Sequence, residues 1–161
     1  MKFAIALVLS IFILTACESV DDHRIPSVPV RIEFPTVGDW QSYGVAAALD
    51  YRSFIKGERI PGGFPYPDMS ATGFGGVLLV CSFDNIPLAY DLSCPVEISP
   101  SVRVSVDTEN NVARCLKCGS TYDVYRTGAP LSGPASEHGY ALTRYNVSPG
   151  QEALQYMIIT R

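Results

Sequence analysis

Residues 75–90, GGVLLVCSFDNIPLAY, divide into two apolar runs of strand length around Asp84-Asn85. Gly75 to Phe83 is a continuous apolar run, Asp84-Asn85 is a turn, and Ile86 to Tyr90 returns as a second strand. Downstream, Val102 to Val106 (VRVSV) alternates strictly, Asp107 to Asn111 (DTENN) turns, and Val112 to Arg114 begins another strand. Thr121 to Tyr125, Ala141 to Val147 and Ala153 to Thr160 complete the β segments, with Gly128 to Ala135 (GAPLSGPA) expected as a rigid loop. Upstream, Val28 to Phe34 (VPVRIEF) reads as an edge strand with Pro29 at its start. Asp39 to Ile60 fits either a strand pair or a short helix, and Pro61 to Pro67 (PGGFPYP) is a loop. Short strands broken by frequent turns predict an all-β antiparallel sandwich or small barrel spanning residues 28–161, without any helix of three or more turns.

Composition agrees. The chain has 161 residues, 47% hydrophobic and 17% charged, with 13 Gly and 12 Pro. That is too apolar for a disordered chain and too rich in turn formers for a helical bundle. A net charge of −4 without a basic stripe argues against nucleic acid as a partner.

The N-terminus is an address. Met1-Lys2 precedes an apolar core, Phe3 to Leu14, too short to span a bilayer comfortably. Leu14-Thr15-Ala16-Cys17 resembles the lipobox of bacterial lipoproteins. That resemblance implies a signal peptide over residues 1–16, lipidation of Cys17, attachment to a membrane, and residence in the bacterial cell envelope. The outer membrane is the expected site, on either its periplasmic or its surface face. Glu18 to Asp22 is acidic, and residues 17–27 are expected to form a flexible tether.

Four further cysteines carry the chemistry: Cys81, Cys94, Cys115 and Cys118. Cys115 and Cys118 form a C-x-x-C pair, whose thiols can grip one metal ion or form a disulfide. The hairpin of residues 102–114 would bring Cys94, in its Ser-Cys-Pro turn, beside that pair. In the hairpin turning at Asp84-Asn85, Cys81 would face about Leu88 and lie roughly 20 Å from Cys94. It is therefore expected to be a buried structural thiol.

The segment from Ala89 to Tyr145 resembles a Rieske 2Fe–2S domain. Ala89 to Pro95 is similar to the strand entering the family's first cluster loop, Cys-x-His. Cys115-Leu116-Lys117-Cys118-Gly119-Ser120-Thr121-Tyr122-Asp123 is similar to the second, Cys-x-x-His-Gly-Ser-x-aromatic-Asp. Gly133-Pro134-Ala135 resembles the proline loop that covers the cluster, and Leu142 and Tyr145 fit the closing strand. The resemblance implies a Rieske-like β domain with two cluster-binding loops, a 2Fe–2S cofactor and electron transfer. Two positions depart from the pattern: the family's histidines fall at Val96 and Cys118, so the raised potential that two His ligands confer is not implied. The donors actually present are Cys94, Cys115 and Cys118. They suit zinc completed by water, a backbone oxygen or a side chain such as Glu97; a disulfide and an unligated relic are the alternatives. In the latter two the chain would be a structural or interaction protein with a protein or glycan partner. No catalytic constellation is identified in the sequence, since both histidines, His23 and His138, lie outside the motifs.

Overall fold

The computed structural model describes residues 20–151 and 155–161. The expected signal peptide and lipidated Cys17 lie outside the described residues, as do positions 153–154 of the last expected strand. The hairpin at residues 75–90 is present: β4 (Val77–Cys81) pairs antiparallel with β5 (Pro87–Asp91). Its register falls within one residue of the expected one. Cys81 faces Pro87, beside Leu88, because the turn takes in Ser82 to Ile86 and closes through the Ser82 N–H to Ile86 carbonyl bond of 2.8 Å.

The run at β4 is continuously apolar because both of its faces are covered. Val77, Leu79 and Cys81 pack into one core with Phe34, Phe54, Phe64, Ala89, Tyr145 and Ile159. Leu78 and Val80 pack into a second core with Tyr90, Leu92, Val104, Ala113 and Tyr122. The first core fills an almost closed antiparallel barrel; the second lies between that barrel and a smaller sheet.

The barrel sheet joins β2 (Tyr51–Phe54), β4, β5, β10 (Arg144–Pro149), β11 (Met157–Thr160), β1 (Val30–Phe34) and β3 (Ala71–Thr72), in that order. Its two edges approach where the Lys56 N–H donates to Thr72 Oγ1 at 3.3 Å. The expected edge strand, β1, is internal. Pro29 lies before the ladder begins, which leaves β1 free to pair with β11 on one side and β3 on the other. The ambiguous stretch begins as a helix, α1 (Val37–Tyr43). Thr36 and Asp39 form a reciprocal capping box, and Trp40 then packs edge-on against Phe34 at 4.9 Å.

The smaller sheet runs β6 (Val104–Asp107), β7 (Val112–Cys115), β8 (Thr121–Tyr122) and β9 (Pro130–Ser132). Two expectations fail here. Val124 and Tyr125 are buried in a turn rather than in a strand, because Asp123 accepts the Gly128 N–H and donates to the Ala129 carbonyl. The loop at residues 128–135 is instead β9 followed by the short helix α2 (Pro134–His138), with Pro134 in its first turn. The tether expectation also changes from Asp21 onward, where the chain packs onto the domain and Ile25 is only 2% exposed.

Candidate metal centre

Two loops converge at one end of the small sheet. The first follows β5. The Cys94 N–H donates to the Val102 carbonyl at 2.9 Å, and the Cys94 carbonyl accepts from Glu97 and Ile98, so the chain curls back over the cysteine. The second loop joins β7 to β8. Cys115 N–H donates to the Ser120 carbonyl and Gly119 N–H to the Cys115 carbonyl, each at 2.9 Å. Gly119 sits at φ +77°, a conformation that side-chain-bearing residues rarely adopt, and this turn returns Cys118 toward Cys115. The β6–β7 register, with Val104 opposite Cys115, places the two loops side by side as their spacing predicted.

The sulfur atoms of Cys94, Cys115 and Cys118 all lie within 4.8 Å of one another. Such a triangle admits a point about 2.8 Å or less from each corner, close to a Zn–S bond of about 2.3 Å. Cys94 and Cys118 are 3.7 Å apart, matching the edge of a tetrahedron built from such bonds, about 3.8 Å. A disulfide requires about 2.05 Å, and Cys81, Cys94, Cys115 and Cys118 are all free. Cys81 takes no part in the trio, as expected; it is buried at the far end of β4, in the wall of a cleft beside Trp40.

Burial and hydrogen bonding treat the thiols differently. Cys94 is fully buried, and desolvation pushes its pKa up to about 12 despite a hydrogen-bonding contact with the Tyr122 hydroxyl at 3.5 Å. At Cys118 burial also favours the thiol, but the Ser120 hydroxyl at 3.2 Å, the Ser120 N–H and the neighbouring sulfurs outweigh it and bring the pKa below its ordinary value. A bound cation must therefore displace a proton at Cys94, which makes uptake weaken on acidification. The Ser120 hydroxyl also accepts the Ala135 N–H at 3.1 Å, so α2 is seated directly over the second loop. Gly133 permits that seat, since a Cβ there would meet Ser120 Cα at 3.0 Å.

No His or carboxylate joins the trio among the described residues. His23 is exposed beside Asp22, and His138 stacks on Tyr140. Val96 offers no donor. Glu97 is engaged by Lys117 at 2.5 Å, an ion pair that ties the tips of the two loops together. A two-iron cluster takes four protein donors; the three present fit a single thiophilic ion better, with a solvent or hydroxyl oxygen completing the shell. Because Lys117 occupies Glu97, the Glu97→Gln variant should hold zinc within about threefold of the wild type in a chelator competition and lose under about 1 kcal/mol of stability. A loss beyond tenfold would instead make Glu97 the fourth ligand.

Two supporting residues carry no site role in the sequence. Tyr122, expected only as an aromatic of the strand at 121–125, is fully buried with its hydroxyl at Cys94. Asp91, an acid closing an otherwise apolar strand, is also fully buried. It accepts from Tyr145 at 2.5 Å and from the N–H groups of Phe74, Gly75 and Ser93. That carboxylate pins the entry to the first loop. Comparison with known proteins identifies no relative: no family model, curated protein or solved structure matches the chain.

Proposed function

We propose that this chain is a lipid-anchored bacterial envelope protein whose β domain holds one thiophilic metal ion, zinc in the first instance, through Cys94, Cys115 and Cys118. The observation that carries the reading is the convergence of three free thiols from two separate loops within 4.8 Å. Buried cysteines that only pack have no need to meet at a point. The seating of α2 over Ser120 adds to it, because supported loops hold ligands in a fixed geometry.

The same arrangement supports kinship with Rieske domains: a Cys-Pro turn, a Cys-x-x-Cys-Gly-Ser loop and a proline-led cover occur in that order and face one another. The family's electron transfer depends on its iron cluster. Zinc has no redox chemistry of its own, so this copy acts as a metal-stabilised binding module, with Cys17 supplying the membrane attachment.

The full chain, purified anaerobically in detergent, tests the reading through metal analysis, visible absorbance and thiol alkylation. Expected are about one zinc ion per chain, no colour, and three thiols that react only after chelation. A coloured protein containing iron would restore the electron-transfer reading. Metal-free protein with an internal disulfide would leave the structural or interaction reading, with these loops as a stapled surface.

A further inference from the structure

The segment just after the proposed lipid site is strapped to the domain. The Asp21 N–H donates to the Gly139 carbonyl at 2.8 Å, and the Ala141 N–H donates to the Asp21 carbonyl at 2.9 Å, which clips the chain alongside Tyr140. Thr143 Oγ1 donates to the Asp22 carbonyl at 2.6 Å. The Arg24 guanidinium lies over the Tyr140 ring at 4.0 Å while its Nε donates to the Pro95 carbonyl at 3.4 Å. Beyond it Ile25 is buried, and Arg161 donates to the Pro26 carbonyl at 3.1 Å. The strap thus crosses the Gly139–Thr143 loop and reaches the residue next to Cys94.

Chain length then fixes a distance. Four residue steps separate Cys17 from Asp21, and a fully extended chain covers about 3.3–3.6 Å per residue, so the reach is about 14 Å at most. A lipid on Cys17 places that residue at the headgroup surface. The clipped end of the strap cannot then stand further than this from the bilayer. The thiol centre is close behind: α2, five residues and about 7.5 Å long, runs from the Ser120 seat beside Cys118 to Gly139.

We infer that the strap orients the domain on its membrane, so that the Gly139–Thr143 face and the two cysteine loops lie at the lipid surface, while the β4–β5 turn, at the opposite end of β5 from the Asp91 N–H to Thr143 carbonyl bond, lies further from it. The partner on this face is a lipid bilayer. The inference rests on lipidation of Cys17, and a tether of ten or more unclipped residues would have left the domain free to tumble. Any molecule exchanging with the metal centre would approach it at the headgroup layer.

The test uses the full isotope-labelled chain, produced in a lipoprotein-processing host and placed in lipid nanodiscs carrying a gadolinium-chelate headgroup. Amide signals of Gly139, Tyr140, Ala141 and Thr143 should broaden severalfold more than those of Asp84 and Asn85. In the Arg24→Ala/Thr143→Val variant, attachment should persist and this contrast should shrink. Mass spectrometry of the same sample separates the two ways of failing. A chain without acyl mass on Cys17 that stays in the aqueous phase overturns the anchor, and the inference with it. An acylated, nanodisc-bound wild type with even broadening overturns the orientation and leaves the anchor intact.

Discussion

Replacing Cys115 with serine is expected to reduce bound zinc from about one ion per chain to a trace, with affinity falling by more than about 100-fold. Outer-shell partners of a metal typically cost about 10–100-fold when removed, and Cys115 is proposed as a direct ligand. Serine keeps the shape of the side chain, so the hairpin bonds between Cys115, Gly119 and Ser120, all made by backbone, should survive. Cys94→Ser and Cys118→Ser should behave alike, whereas Cys81→Ser should retain the metal because Cys81 lies outside the trio. Chelator competition followed by metal analysis measures all four. Equal retention in Cys115→Ser and Cys81→Ser would remove the thiol centre from consideration.

The second large effect is on stability. Asp91→Asn is expected to lower the free energy of unfolding by about 3 kcal/mol, read by urea denaturation. Both carboxylate oxygens are occupied as acceptors: one takes the Tyr145 hydroxyl and the Phe74 N–H, the other the N–H groups of Gly75 and Ser93. An amide must turn its NH₂ toward one of those pairs, setting donor against donor wherever it points. Ser93 precedes Cys94, so the same variant should also bind zinc more weakly. Burial pushes the Asp91 pKa up, against the pull of Tyr145 and the three N–H donors. An unchanged denaturation midpoint in Asp91→Asn would show that the first loop does not depend on this carboxylate.

What could be read in advance follows from whether the cause was local. The hairpin at residues 75–90 was legible because length, apolarity and a turn pair all lie within one window. The meeting of Cys94 with Cys115 and Cys118 was legible because a short hairpin must bring its own ends together. The internal position of β1 was hidden. Its partner β11 lies at the opposite end of the chain, and nothing in residues 28–34 records that pairing. Helix α1 was one of two readings left open for residues 39–60, and its start was hidden because the signal, Thr36 with Asp39, straddles the boundary of that stretch and uses Asp where Glu or Gln is usual. The turn at Asp123 to Gly128 mimicked a strand since Val124 and Tyr125 are both buried there, as strand residues would be. At the centre, the three sulfurs were nameable from spacing. The hydroxyls of Ser120 and Tyr122 beside them became visible only once side chains had directions.

The most direct measurement of the central claim is X-ray absorption at the zinc edge on the anaerobically purified full chain. Three sulfur neighbours at about 2.3 Å with one lighter atom are predicted, the signature of a three-thiolate site. A spectrum fitted by nitrogen and oxygen alone, or a preparation without zinc whose cysteines are joined as a disulfide, would contradict it.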